Sequence, residues 1–226
     1  MTVRCQYCQR EFVREKTLTS HVCEPKRRYQ QENEIGVQWG LQAYLIFYST
    51  TQSPKRRNYA DFVDSSYYTA FVRFGRHCHS VHCPNLDNYT RWLLKGNQRL
   101  DSWTSDQLYS EWLIEFSRKE NVRDALERSI QTMIDYAHEH PEYRNGYQDY
   151  FRLVNENRIC YHIMTGRVSP WAVYQSDSGQ EFLSKLNDDQ AGSIMTMIDP
   201  AYWQAKFRDS VEDVDFVKSV LSTAGL

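Results

Sequence analysis

The sequence predicts a mainly α-helical protein: a small N-terminal unit over residues 1–28, then a compact, aromatic-rich helical domain over residues 29–226, with minor β structure possible. Apolar residues recur at helical spacing along most of the second part, most clearly from Val122 to His138. Aromatic residues make up 14% of the 226 residues, including 16 tyrosines and 6 tryptophans, which is enough for a large aromatic core. The first 28 residues lack this pattern and carry three of the six cysteines.

Four potential metal ligands lie within 19 residues of this N-terminal unit: Cys5, Cys8, His21 and Cys23. Thiolate and imidazole are the ligands that Zn²⁺ prefers, and four of them can close a tetrahedral site. Two apolar residues, Phe12 and Leu18, fall between the ligand pairs. A segment this short cannot bury enough apolar surface to fold alone, so a metal ion would supply most of the folding free energy.

The spacing Cys-x2-Cys-x3-Phe-x5-Leu-x2-His resembles that of C2H2/C2HC zinc fingers over residues 5–23. The resemblance implies a ββα fold around one structural Zn²⁺, with Phe12 and Leu18 as its small core. The alternative is a set of reduced cysteines near an unrelated histidine.

The last ligand departs from the usual C2H2 spacing, because Cys23 follows His21 by only two residues. In a regular helix, positions i and i+2 point about 200° apart. We therefore expect the finger helix to tighten or unwind at Val22, and Pro25 to limit how far that helix runs.

Two sets of residues suggest contact with nucleic acid. On the finger helix, the residues that would face a DNA major groove in the family are Arg14, Thr17 and Ser20. Arg14 could bind guanine in bidentate fashion, whereas Thr17 and Ser20 are weak readers of sequence. One finger of this kind reads only about three base pairs, so it cannot specify a site alone.

Basic runs form the second set: Lys26-Arg27-Arg28 directly after the finger, and Lys55-Arg56-Arg57 in an expected loop. Both could neutralise phosphates, and Tyr29 could stack on a base. The alternative for the first run is a solvated linker or the start of the next helix. Residues 1–100 hold 15 Lys/Arg against 8 Asp/Glu, and residues 101–226 hold 12 against 21. An anionic partner would therefore meet the N-terminal half, unless the asymmetry is only an uneven solvated surface.

Two further segments of the sequence allow more than one interpretation. The segment His77-Cys78-His79-Ser-Val-His82-Cys83 is rich in ligands but lacks ligand-pair spacing, so a second metal site would need a partner such as Cys160 or His162. From Tyr147 to Met164 the apolar residues mix helical and alternating periods, and a strand at Ile159–Met164 is conceivable.

Several function classes find no support in the sequence. No apolar run is long enough for a membrane span, and the N-terminus lacks the apolar region of a signal peptide. We therefore expect a cytoplasmic protein with reduced cysteines. No phosphate-binding loop, dinucleotide-binding turn or nucleophile elbow occurs, and no small-molecule substrate or catalytic motif is identified.

The whole chain more loosely resembles uncharacterised zinc-finger proteins of T4-like tailed phages, which share a Cys-x2-Cys…His-x-Cys finger, then Lys-Arg-Arg-Tyr, then an aromatic helical domain. That resemblance implies a role in the cytoplasm of an infected bacterial cell, and it brings no activity with it. Two hypotheses follow. The first is a zinc-stabilised accessory protein that binds nucleic acid or a nucleic-acid-processing complex. The second is a protein-interaction or structural module, in which the finger only braces the helical domain.

Overall fold

The computed structural model describes residues 2–52, 56–142 and 146–226, and it confirms a mainly helical fold with a small N-terminal sheet. The chain forms two compact units. The first contains the residues up to Val81 together with Asn85–Ser105, and the second contains His82–Pro84 together with Asp106–Leu226.

The first unit begins with the ββα arrangement that the zinc-finger resemblance implies. Strands β1 (Val3–Arg4) and β2 (Glu11–Phe12) pair antiparallel, and helix α1 (Glu15–Ser20) follows them. Val3 pairs with Phe12, and Arg4 pairs with Glu11, so each strand contributes one charged side chain to an exposed ion pair.

Helices make up the rest of the first unit: α2 (Glu24–Gln30), α3 (Ile35–Thr51), α4 (Tyr59–Val63), α5 (Tyr68–Ser80) and α6 (Leu86–Lys95), with a 3₁₀ turn at Leu100–Ser102. The sequence predicts Pro25 only as a limit on the finger helix. Helix α1 does end before it, but Pro25 also lies in the first turn of α2, where the missing backbone N–H is tolerated. The basic run Lys26-Arg27-Arg28 is therefore helical.

Glycines set the contact between α3 and α5, a feature that the apolar pattern does not reveal. A Cβ atom on Gly75 would overlap the carbonyl oxygen of Gly36 and the backbone nitrogen of Gly40. A Cβ atom on Gly40 would lie 2.7 Å from the carbonyl oxygen of Phe71. The two backbones approach so closely only because these positions lack side chains. The buried face of α3 consequently includes Gly36 and Gly40, whereas the apolar Ile35 at its first position is 55% exposed.

The core of the first unit is aromatic, as predicted. Trp103 is fully buried, and its ring centroid lies 5.1 Å from that of Phe74 and 5.9 Å from that of Phe71. Its indole N–H donates to the carbonyl oxygen of Gln98 at 3.0 Å, which satisfies the polar atom of a buried side chain. Tyr44 of α3 packs edge-on against Phe71 of α5.

The second unit contains nine α-helices in the described part of the chain: α7 (Asp106–Lys119), α8 (Val122–Glu139), α9 (Tyr150–Leu153), α10 (Glu156–Met164), α11 (Pro170–Gln175), α12 (Asp177–Lys185), α13 (Asp188–Ile194), α14 (Pro200–Asp209) and α15 (Val211–Ala224). A 3₁₀ turn spans Gly146–Asp149. The conceivable strand at Ile159–Met164 is wrong, because these residues lie in α10. The side chain of Asn155 caps that helix by accepting from the backbone N–H of Asn157.

Other predictions for this unit are confirmed. Helix α8 covers the strongest helical pattern of the sequence, and Asp199 caps α14 by accepting from the backbone N–H groups of Ala201 and Tyr202. Trp203 of α14 is buried, and its indole N–H donates to the carbonyl oxygen of Met197 at 2.8 Å. Among the helices in the described ranges, none has the length and apolar character that crossing a membrane requires.

Candidate metal centre

The four predicted ligands converge at one end of the small sheet. The ligand atoms of Cys5, Cys8, His21 and Cys23 all lie within 4.8 Å of one another. The Sγ atoms of Cys5 and Cys23 are 4.0 Å apart, and Sγ of Cys8 lies 3.3 Å from Nε2 of His21.

These separations fit a tetrahedral zinc site. With Zn–S bonds of about 2.3 Å and a Zn–N bond of about 2.0 Å, a tetrahedron places two sulfurs about 3.8 Å apart and a sulfur and a nitrogen about 3.5 Å apart. Three thiolates and one imidazole would leave no open position on the ion. Such a closed set is typical of structural rather than catalytic zinc.

A tight turn brings the first two ligands together. The backbone N–H of Cys5 donates to the carbonyl oxygen of Arg10, and the N–H of Gln9 donates to the carbonyl oxygen of Cys5, both at 2.9 Å. Gln9 adopts a left-handed backbone conformation with φ of 61°, which reverses the chain immediately after Cys8. The two thiols therefore face the same point from either side of the turn.

The unusual His-x-Cys ending is accommodated by unwinding, one of the two solutions predicted. Helix α1 ends at Ser20, and both His21 (ψ 123°) and Cys23 (ψ 159°) have extended backbone conformations. In an extended chain, residues i and i+2 point to the same side, so both side chains can reach one ion. Val22 points the other way and is 70% exposed.

The local environment shifts the pKa values of the first and last cysteines of the motif in opposite directions. Backbone N–H groups, chiefly that of Cys8, lower the pKa of the Cys5 thiol. Burial raises the pKa of the Cys23 thiol, although the backbone N–H of Lys26 opposes this. Because metal binding requires thiolates, loading the site must release protons.

Aromatic contacts connect this site to the neighbouring helices of the same unit. The ring of Phe12 lies 4.7 Å from that of His21, so it orients a ligand. The ring of Tyr7, between the first two cysteines, lies 5.4 Å from that of Tyr29 on α2, and Tyr29 lies 5.8 Å from Tyr59 on α4. The zinc-finger motif does not indicate the contact that Tyr7 makes with α2. The one signal for it in the sequence is an aromatic residue between the first two cysteines.

The proposed base-reading residues lie on the outside of the finger. Arg14 precedes the first residue of α1, and Thr17 and Ser20 follow at intervals of three, so the three side chains share one exposed face. The hydroxyl of Ser20 donates to the carbonyl oxygens of Lys16 and Thr17, which leaves Arg14 as the charged group of this face.

The basic run after the finger divides into exposed and internal side chains. Lys26 donates to the carbonyl oxygen of His21 at 3.1 Å, and Arg27 is exposed and pairs with Glu24. Arg28 instead donates to the carbonyl oxygen of Val63 at 2.6 Å, and its guanidinium lies 4.5 Å from the ring centroid of Tyr68. Arg28 thus holds α2 against the segment between α4 and α5.

The second basic run divides in the same way. Lys55 lies outside the described residues, and Arg56 is exposed. Arg57 donates to the side-chain oxygen of Gln52 at 3.0 Å, and its guanidinium lies 3.9 Å from the ring centroid of Tyr48. Tyr29 packs between two tyrosines, and this contact with protein occupies the ring that the sequence suggests for base stacking.

The finger ligands are the one cluster of three or more potential metal ligands in residues 2–52, 56–142 and 146–226. The segment from His77 to Cys83 therefore does not converge with Cys160 or His162 into a second such cluster among these residues. His162 is buried and its Nδ1 lies 2.6 Å from the Tyr150 hydroxyl. Burial, with help from nearby Arg167, lowers the pKa of His162 to about 3, so this imidazole is neutral in the core.

Comparison with models of protein families, with curated proteins and with solved structures finds no match. What the fold and the site define is a mainly helical protein whose N-terminal Cys₃His cluster could hold a metal ion, as in a zinc finger.

Proposed function

We propose that the protein is a zinc-stabilised accessory protein that binds nucleic acid, or a complex that processes it, through the finger and α2. One Zn²⁺ holds Cys5, Cys8, His21 and Cys23 and thereby folds the finger. The observation that carries the proposal is the exposure of Arg14 and Arg27, which precede and follow the ligands His21 and Cys23 in the chain, with Lys26 of α2 donating to the carbonyl oxygen of His21. Residues 2–30 hold seven Lys/Arg and three Asp/Glu.

The binding expected from this surface is electrostatic and largely independent of sequence. Helix α1 has six residues, so it is about 9 Å long, and the face that it shares with the preceding Arg14 presents a single arginine to base edges. Phosphate contacts position a protein without reading sequence, and they make affinity fall steeply with salt. The resemblance to proteins of T4-like phages would place this activity in the cytoplasm of an infected bacterium.

Fluorescence anisotropy with labelled single-stranded and duplex DNA and RNA, titrated from 20 to 200 mM salt, tests the proposal. Neutralising Arg14, Lys26 and Arg27 together to Gln should reduce the slope of log affinity against log salt by about 2 to 3. The matched control neutralises Arg91, Lys95 and Arg99, three exposed residues of the same unit, and should leave most of the slope in place. Absence of binding at the lowest salt would remove nucleic acid as the partner.

The second candidate function, a protein-interaction or structural module, is favoured by the internal contacts of Tyr29, Arg28 and Arg57. Tyr29 and Arg28 connect α2 to neighbouring helices, and Arg57 packs on the Tyr48 ring of α3, instead of facing outward. Under this alternative, a pull-down from infected cells would recover the same protein partners with and without nuclease treatment. Loss of all partners after nuclease treatment would instead support the nucleic-acid role.

A further inference from the structure

A groove between α2 and α5 shares Arg27 with the proposed nucleic-acid surface and includes none of the four metal ligands. It has a volume of about 320 Å³. Its polar lining comes from Glu24 and Arg27 of α2, from Gln31 directly after that helix, and from Tyr68, Thr69, Arg73 and Arg76 of α5.

Positive charge exceeds negative charge around this groove. Arg27 pairs with Glu24 and Arg76 pairs with Glu34, and all four side chains are 45–60% exposed. Exposed ion pairs of this kind contribute little free energy, so either guanidinium can turn to a stronger anion. Arg73 is exposed and forms no ion pair with any residue in the described ranges. Guanidinium groups suit phosphate because their forked donors can bind two of its oxygens.

The second observation is a hydroxyl at the start of α5. Thr69 is exposed and lines the groove, so its hydroxyl can donate to a phosphate oxygen. Tyr68 lines the groove as well, but its hydroxyl oxygen is buried near the Tyr59 hydroxyl and the Arg28 guanidinium and does not open to the groove.

We propose that the groove between α2 and α5 binds a phosphate group of a nucleic-acid backbone, with Arg27, Arg73 and Arg76 holding its charge and Thr69 donating a hydroxyl hydrogen bond. This inference rests on the proposed function. It adds a phosphate contact between α2 and α5 to the phosphate contacts proposed for the finger of the same unit. The lining offers charge and hydroxyl donors and no exposed ring on which a base could stack, which suits a backbone phosphate better than a free nucleotide.

The test compares Arg73→Gln and Tyr68→Phe with wild type in the anisotropy titration, using the full chain. Arg73→Gln should weaken binding about tenfold at low salt and reduce the salt slope by about 0.7 to 0.9. Arg99→Gln, which removes an 87% exposed arginine from the same unit, should do neither. Tyr68→Phe, which removes a buried hydroxyl that does not open to the groove, is the matched control within the lining and should leave both the affinity and the salt slope unchanged.

The outcomes separate the two proposals. If wild type binds and Arg73→Gln binds equally well with the same salt slope, the groove proposal is overturned and the finger proposal stands. If wild type binds no nucleic acid, calorimetry with pyrophosphate decides the fate of the groove. If pyrophosphate binds to wild type and not to Arg73→Gln, the groove is a phosphate site, but its phosphate does not come from nucleic acid. If pyrophosphate does not bind to wild type, the phosphate site itself is overturned.

Discussion

The ring of Tyr7 lies 5.4 Å from the ring of Tyr29, so the turn that carries two metal ligands packs directly on the helix that follows the finger. Tyr29 in turn lies edge-on to Tyr59, whose hydroxyl donates to the carbonyl oxygen of Arg28 at 2.7 Å. The candidate metal centre is therefore held to α4 by aromatic packing and by a hydrogen bond to the backbone of α2. This arrangement is compatible with both candidate functions, because it fixes the position of the exposed Arg14 and Arg27.

Removing Tyr29 should loosen the finger from the helices. Two aromatic contacts of about 0.5 to 1.5 kcal/mol each are lost in Tyr29→Ala, so we expect a decrease of about 2 kcal/mol in the free energy of unfolding. Urea denaturation followed by tryptophan fluorescence measures it. Tyr67→Ala removes a tyrosine that is 53% exposed and should change stability by less than about 0.5 kcal/mol. Equal effects of the two substitutions would contradict the bracing role of Tyr29.

The glycine contact between α3 and α5 predicts an unusual cost for alanine in a helix. Gly75→Ala should destabilise the protein by about 2 kcal/mol, because overlap with the backbone of α3 outweighs the gain in helix propensity of about 1 kcal/mol. Gly192→Ala in α13 is the matched control, since a Cβ atom there meets nothing within 4 Å. In thermal unfolding, Gly75→Ala should lower the melting temperature and Gly192→Ala should raise it. A stabilising Gly75→Ala would disprove the close approach of α3 and α5.

Glu120 predicts a pH dependence of stability. Burial raises its pKa to about 7 despite its ion pair with Arg128, against 4.5 for an unperturbed glutamate. The folded state then holds more protons than the unfolded state between these values, so stability is greatest below pH 4.5 and decreases as pH rises to 7. The total decrease from this group is about 3 kcal/mol.

Chemical denaturation of wild type and Glu120→Gln between pH 5 and 8, with zinc present, isolates this effect. Wild type should lose stability relative to the variant as pH rises. Glu115→Gln changes a carboxylate that is 54% exposed and pairs with Lys119 on the same helix, and its difference from wild type should stay constant. A wild-type minus Glu120→Gln difference that is flat across this range would show that Glu120 titrates normally.

The metal ligands, the longest helix of the second unit and one helix cap could be predicted from the sequence, because each depends on the spacing of residues that are close in the chain. Cys5, Cys8, His21 and Cys23 converge because their spacing suits one ion, and α8 and the cap at Asp199 follow from local patterns. The unwinding that His21 and Cys23 require also follows from helix geometry, because i and i+2 cannot share a side of a regular helix.

What the sequence could not predict depends on residues far apart in the chain. Gly75 meets Gly36 and Gly40 only after α3 and α5 pack, and no local pattern couples them. Arg28 looks like a phosphate ligand in a basic run, yet its acceptor is the carbonyl oxygen of Val63, 35 residues away. The residues Ile159–Met164 alternate enough to allow a strand, and the cap at Asn155 and the tertiary contacts of α10 favour a helix.

Zinc analysis of purified protein tests the central claim most directly. Wild type should contain about one Zn²⁺ per chain, and Cys8→Ser should contain little, because the ion loses one of its four ligands. Cys83→Ala, which removes a buried cysteine outside the cluster, should retain the metal in full. Wild type without zinc after purification and reconstitution, or Cys8→Ser with full occupancy, would contradict the account.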